Sequence, residues 1–511
     1  MANDNLTRFK KLLVVFIESR FSPLLSLLVG SLTVLAFAPF NQVWLIYLLI
    51  AFIFYIWSLS EPKKALFHGW MFGLGMQGVG ISWLYFSLHY HGGSPVFFAV
   101  LLVFILASVL AVFTASMGFC VNRFCKSSNA IKLILLYPIA WALFEWLQGI
   151  VLTGFAWQQL GYTQIDLPLS GFAPLIGGHG VSLLVAMTSG AIVLMLSDSN
   201  WRKKILLLVL GVWLCGFFLK QITWTEATGD EISVALIQGN IPQSLKWKSE
   251  SRIPTLLKYR QLSLEQNDVD LIIWPETAMP GFQHQLNDYI TDLSQAMKKT
   301  ETDLLAGIFI RDFDTARYYN SLININGGEY YKRHLVPLGE YIPLRFLVDF
   351  FNRFVKIPMS DIDSGIDEQP LLRAAGQPLG VSICFEDTFA RDVRRDLPEA
   401  TLLVNVSNDA WFDGSFEPVQ HHAIARMRAL ESGRFMLRAT NTGISSIIGP
   451  QGEEIAVSPQ FETHVLKASV QPMKGSTPYV FWGDLLLVLT CLGVLAGFIF
   501  KAQRDPLKNP E

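Results

Sequence analysis

Charge is what this chain has least of. Only 16% of its 511 residues are Asp, Glu, Lys or Arg, against about a quarter in an average soluble domain. Half of the chain (51%) is hydrophobic, a composition that points to a membrane protein. Net charge is −2 with no long basic run, so the electrostatic footprint of nucleic-acid binding is missing and no nucleic-acid partner is expected. A removable leader is not expected either. The first apolar stretch follows Arg8, Lys10, Lys11 and Arg20, and no small-residue cleavage pattern closes it. Cysteine is scarce, with five in all.

The apolar residues are unevenly spread. Residues 1–224 are almost continuously apolar, 225–478 have the composition of a soluble domain long enough to bury its own core, and 479–511 begin with a further apolar run. Runs of about 18 or more apolar residues can cross a bilayer as helices. Seven occur in the first part, at 21–38, 43–60, 67–89, 95–120, 132–151, 175–196 and 205–221, and an eighth at 480–500. Eight buried helices of this kind in a soluble protein would need a very large apolar shell, so a multi-pass α-helical membrane domain of eight transmembrane helices is expected.

Lys and Arg gather in alternate loops: at the N-terminus, at Lys63-Lys64, at Arg123 with Lys126, at Arg202-Lys203-Lys204, and at Lys501, Arg504 and Lys508. Loops 40–42, 90–94 and 152–174 contain neither residue. The positive-inside rule then puts both termini in the cytoplasm and 225–478 outside, in the periplasm of a bacterial inner membrane. Loop 152–174 is apolar enough to be expected in the interface. Trp83, Tyr85, Trp146 and Trp157 fall where belt aromatics sit, and Gly69, Gly73, Gly75, Gly78 and Gly80 suit close helix packing. Glu145, an acid within an apolar run, is either functional, with lipid or substrate contact, or a hydrogen-bonded tie between helices.

On this topology Cys120, Cys125, Cys215 and Cys491 lie within spans or at their cytoplasmic ends. Cys384 alone is on the outer side, without a partner for a disulfide. It ends an apolar, β-branched run, Gly380-Val-Ser-Ile-Cys384, and is followed by Phe385, Glu386 and Asp387. A nucleophile at a strand end and a buried structural thiol are both open readings. Further strands are expected at 232–238, 269–274, 304–310, 402–407, 443–448 and 454–457, and helices at 246–267, 285–299 and 418–435. A hairpin is expected at 320–332, turning at Asn326-Gly327. This mixture predicts an α/β or α+β sandwich. Segment 344–368, with Phe346, Phe350, Phe351 and Phe354, is a membrane flap or a core helix. The His421-His422 pair lacks metal-ligand spacing, and a structural role is expected.

Glu276 and Lys332 each follow a strand, as Cys384 does. A carboxylate can take a thiol proton, a thiolate can attack an acyl carbonyl, and an ammonium can favour the thiolate and stabilise the oxyanion. Trp274-Pro-Glu276-Thr, Tyr331-Lys332-Arg-His with Gly339-Glu340, and Ile383-Cys384-Phe385-Glu386 resemble the Glu–Lys–Cys motifs of the nitrilase superfamily. With the flanking spans, Gln238-Gly-Asn-Ile-Pro-Gln-Ser-Leu-Lys246-Trp247 and Arg438-Ala-Thr-Asn441-Thr-Gly443, the chain is similar throughout to the bacterial apolipoprotein N-acyltransferases. One departure is Phe385, where that family commonly has tyrosine. The resemblance implies an αββα nitrilase-like sandwich on a membrane base. It implies transfer of a fatty acyl chain from a phospholipid to the α-amino group of a diacylated apolipoprotein, by ping-pong chemistry through a Cys384 thioester. Glu276 is the implied base and Lys332 the oxyanion partner, with Glu340 and Glu386 in support and Trp247 a lipid contact. No metal or other cofactor is implied. A membrane-bound amidase, and a transporter or receptor with an inactive triad, are the rival readings.

Overall fold

In 225–478 the central strands of each sheet are short, mostly apolar runs buried on both faces, and that double burial sets the layering. The computed structural model describes residues 21–337, 339–341 and 362–504. The strands are β1 (Glu226–Ala227), β2 (Ile232–Gln238), β3 (Leu271–Ile273), β4 (Asp303–Arg311), β5 (Tyr318–Asn324), β6 (Glu329–Tyr331), β7 (Leu372–Ala374), β8 (Gln377–Ile383), β9 (Leu402–Ser407), β10 (Met436–Thr440), β11 (Ser446–Ile448), β12 (Glu454–Val457), β13 (His464–Val470) and β14 (Met473–Lys474). Two six-stranded sheets form, ordered β13-β2-β3-β4-β5-β6 and β12-β11-β10-β9-β8-β7, with β1 and β14 paired separately.

Alternation along each strand assigns its two faces. Val234, Leu236, Leu271, Ile273 and Leu305 of the first sheet pack on Leu379, Val381, Ile383, Val404, Val406 and Leu437 of the second. Ala235, Ile237, Ile272 and Trp274 point the other way, onto helices Ser249–Leu264 and Asn287–Lys298. Leu403, Met436 and Ile448 face helix Glu417–Ser432. The layers are therefore helix, sheet, sheet, helix. Strands β10 and β13 have no counterpart in the expectations from sequence. The expected 246–267 helix is two pieces, Gln243–Lys246 and Ser249–Leu264.

By compactness the chain divides into two units, one of residues 1–82, 100–221 and 484–511, the other of 83–99 and 222–483. Among the described residues four helices are long and apolar enough to cross a membrane: Val96–Phe124, whose first four residues fall in the second unit, and Asn129–Gln148, Pro168–Ser197 and Leu485–Arg504 of the first. Ser22–Ala36 and Trp44–Leu59 are apolar but shorter, and helices Pro62–Gly80 and Arg202–Leu219 cover most of two further apolar runs. The eighth run, expected from 480, starts its long helix only at Leu485, because Gly483 (φ 56°) breaks the chain after Pro478–Trp482.

Helix Pro62–Gly80 meets Ser22–Ser31 at backbone distance: a Cβ on Gly75 would lie 2.0 Å from the Leu27 carbonyl oxygen, and one on Gly30 would lie 2.0 Å from that of Phe72. Loop 152–174 is interior over much of its length, although Leu152, Thr153 and Asp166 are exposed. Residues 156–165 are all buried, and Gly161 donates its N–H to Ser182 Oγ. Trp83 and Trp157 are buried as well, which removes them from an aromatic belt. The greater part of segment 344–368 lies outside the described residues.

Candidate active site

Strand β8 delivers Cys384 at its end with φ 53°, a left-handed conformation rare outside glycine and strained for a cysteine. A 3-10 turn, Cys384–Thr388, follows at once. Glu386 pins this turn to its surroundings. Its Oε2 accepts from Ile383 N at 2.7 Å and Tyr330 Oη at 3.0 Å, and its Oε1 from Arg333 N at 2.6 Å and His334 N at 2.9 Å. Burial pushes this carboxyl up to about 7, against the pull of Lys332 and those N–H groups.

Glu276 follows β3 by three residues, and the chain there presses against β4. A Cβ on Gly307 would lie 2.4 Å from both Pro275 O and Thr277 N, so glycine is required for that approach. Glu276 Oε1 accepts from Asn320 Nδ2 at 2.7 Å and Oε2 from Asn408 N at 3.0 Å. Lys332, just past β6 and fully buried, puts Nζ 3.6 Å from Glu276 Oε1 and donates to Glu340 at 2.9 Å. Burial alone would lower the ammonium; Glu340 and Glu276 outweigh it and keep it charged. Glu340 also accepts from Asn320 Nδ2 at 3.0 Å and Val336 N at 2.8 Å.

The Cys384 thiol is held well above its usual value by burial first and by Glu276 second, with Lys332 acting the other way. It is therefore a protonated thiol at rest, beside a carboxylate able to take its proton and an ammonium able to steady the product.

Asn408 and Asn441 bind the loops of the site together. Asn441 Nδ2 donates to Asn408 Oδ1 at 3.0 Å and to Ile241 O at 2.8 Å, and Asn408 Nδ2 donates to Gln243 Oε1 at 2.9 Å. Sequence reasoning gave Asn320 and Asn408 no role. A glycine inside the apolar 304–310 strand was the one readable sign that another backbone lies against it.

Phe385 is buried and meets the rings of His334 and Phe389 at 6.0 and 5.0 Å. Trp247 is half-exposed at the end of helix Gln243–Lys246, with its ring 5.7 Å from Phe309. Glu145 lies in the other unit. It is buried, and its Oε1 accepts from Trp141 Nε1 and Leu160 N, both at 2.9 Å, as a tie between segments of that unit.

Beneath the 384–388 turn lies a second buried cluster. His421 Nε2 pairs with Asp387 Oδ1 at 2.6 Å and Nδ1 with Glu417 Oε1 at 3.3 Å. Arg438 reaches Asp387 at 3.2 Å and Asp409 at 3.4 Å. Burial and Arg438 push the imidazole down, but Asp387 and Glu417 outweigh them and hold it protonated up to about 9. Asp409, Glu417 and His421 converge closely enough for a cation. However, Arg438 and protonated His421 already balance Asp387 and Asp409, and burial holds Glu417 near 7.

Residues 233–479 match the carbon-nitrogen hydrolase family model, so the sandwich is of the nitrilase-like, carbon-nitrogen hydrolase class. Residues 29–191 match the apolipoprotein N-acyltransferase N-terminal domain. The chain is 41% identical over 485 residues to the apolipoprotein N-acyltransferase of Methylococcus capsulatus, covering 94% of this chain and 96% of that protein. It is 39% identical over 500 residues to the Vibrio cholerae protein of the same name, covering 94% and 97%. This chain belongs to the apolipoprotein N-acyltransferase family. Among solved structures, Saccharomyces cerevisiae Nit3, a member of the nitrilase superfamily, matches at 18% identity with a TM-score of 0.37, covering 56% of this chain and 98% of that one.

Proposed function

We propose that this protein is an acyltransferase that moves a fatty acyl chain from a membrane phospholipid to the α-amino group of a diacylated apolipoprotein, through a thioester on Cys384. Glu276 takes the thiol proton, and the sulfur attacks the ester carbonyl. Lys332 stabilises the oxyanion, and the lysophospholipid leaves with the proton that Glu276 returns. The amine of the acceptor then gives its proton to Glu276 and attacks the thioester, which frees the thiol. Glu340 and Glu386 orient Lys332 and the Cys384 turn, and Trp247 contacts lipid. The observation that carries this reading is Cys384 at a strained strand end with Glu276 and Lys332 bearing on its charge. The names of the relatives supply the acceptor class.

In this reading residues 1–224 contribute seven spans, 225–478 form the catalytic domain, and 479–511 carry the eighth span and tail. Both termini are cytoplasmic and the catalytic domain periplasmic, at a bacterial inner membrane. The support is the alternation of Lys and Arg between successive loops.

The test is sequential. The full-length protein is incubated with a labelled phospholipid, checked for a hydroxylamine-sensitive adduct, and then given a diacylated lipopeptide. Discharge into a triacylated product supports the transferase. Release as free fatty acid supports an amidase-like hydrolase, and an active protein that forms no adduct contradicts the thioester.

A further inference from the structure

The triad chemistry leaves one buried cation of the site without a task. Lys246 ends the short helix Gln243–Lys246, is only 3% exposed, and donates from Nζ to the backbone carbonyl of Glu276 at 3.1 Å. Among the described residues this is its one hydrogen bond, and no carboxylate lies within ion-pair distance of it. A lysine is seldom buried without a paired anion.

We infer that Lys246 is a positioning residue of the acylation centre: it fixes the main chain of the base Glu276 and sets a second positive charge beside the Cys384 thiol. This rests on the thioester reading above. The titratable groups that bear on Lys246 from neighbouring elements are the Glu276 carboxylate, on the turn after β3, and the Cys384 thiol, at the end of β8, which attracts it once ionised. Its own helix carries no other charge. Lys332 reaches the same Glu276 carboxylate, so the base and the thiol stand between two cations that differ in kind. Lys332 is paired with two carboxylates and stays charged. Lys246 is paired with none, and burial brings its ammonium down to about 7, against the opposing pull of Glu276 and Cys384.

The sign of the effect follows. Below about 7 the charged Lys246 favours the thiolate once Glu276 has taken the proton. As pH rises through about 7 the amine becomes neutral and that support fades. Lys332 stays charged across this range, held by Glu340 and Glu276, and the Lys246 contribution belongs to the acid side.

The test reads Cys384 itself, so it does not depend on the lipid donor. The full-length protein and its K246M and K246R variants are alkylated with iodoacetamide between pH 6 and 9. Modification of the peptide containing Cys384 is followed by mass spectrometry, and melting temperatures are compared in parallel. The wild-type protein should react about tenfold faster than K246M at pH 6, the equivalent of one unit of thiol pKa. That ratio should shrink towards one by pH 9. K246R, charged throughout, should keep its advantage over K246M at pH 9. A K246M variant that matches the wild-type rate at pH 6 overturns the inference. So does a wild-type to K246M ratio that stays constant from pH 6 to 9, which marks Lys246 as a prop for the Glu276 carbonyl alone. Phospholipid acylation is measured on the same preparations. Wild-type protein that alkylates as described yet takes no acyl group overturns the thioester reading and not the role of Lys246.

Discussion

Two groups of buried charge meet the Cys384 turn. In the first, Arg438 and His421 face Asp387 and Asp409 with Glu417 alongside, every member at most 2% exposed. In the second, Lys332 faces Glu276 and Glu340, and Lys246 touches only a carbonyl. The first cluster is closed: Arg438 is held by two acids and His421 by three, and the elements it joins are the 384–388 turn, the end of β9, strand β10 and helix Glu417–Ser432. The second leaves a carboxylate beside a thiol that it raises and a lysine near its neutral point. Buried ion pairs add little net stability but cost much when one partner is removed. Removing a partner from the closed cluster should therefore be costly to the fold, whereas the proposed function places the chemistry in the open one.

Substitutions in each cluster should therefore fail in different ways. The largest effect is expected at the base. Glu276→Gln should slow acylation of Cys384 by about 10²–10⁴-fold with the melting temperature unchanged, read by adduct formation and a thermal melt. Arg438→Met should do the reverse, leaving Asp387 and Asp409 buried without their cation at a cost of about 3–5 kcal/mol, read by denaturant titration. A melting temperature that falls with E276Q and holds with R438M would invert the assignment.

His421 gives the cluster a pH signature. Its folded value, about 9, lies above its ordinary 6.5. Its contribution to stability is thus fully present below about pH 6.5 and is lost as pH rises through about 9, amounting to about 3 kcal/mol. Melting temperature should drop across that window in the wild-type protein and vary less in H421Q. Glu340→Gln should come next, lowering acylation about tenfold, a loss on the scale of one charge-assisted hydrogen bond, through the weaker hold on Lys332. Phe385→Tyr should matter least, by less than about 1 kcal/mol, because the Phe385 ring is packed between those of His334 and Phe389.

The sequence carried the strand–turn signals at Cys384, Glu276 and Lys332 because apolar runs bounded by proline, glycine or charge are local features. It did not carry the partners. Asn408 donates to Glu276 from 132 positions away, a relation that exists only once β9 lies beside β8 and β10. Strand β10, Met-Leu-Arg-Ala-Thr, was obscured by Arg438, whose charge reads as surface until Asp387 and Asp409 are placed around it. His464–Val470, in which Lys467 and Ser469 are exposed and His464 partly so, was obscured in the same way. Trp83 and Trp157 were misplaced for the opposite reason. Tryptophan near the end of an apolar run suits a lipid interface and a protein interior equally well, and only packing decides between them.

The central claim is that the open cluster makes Cys384 an acyl acceptor. The most direct measurement is the intact mass of the full-length protein after a single exposure to phospholipid without acceptor, followed by mapping of the modified peptide. The account predicts a gain of one acyl chain, on Cys384, that hydroxylamine removes and that C384A does not acquire. An unmodified Cys384 in protein that still acylates a lipopeptide would contradict it.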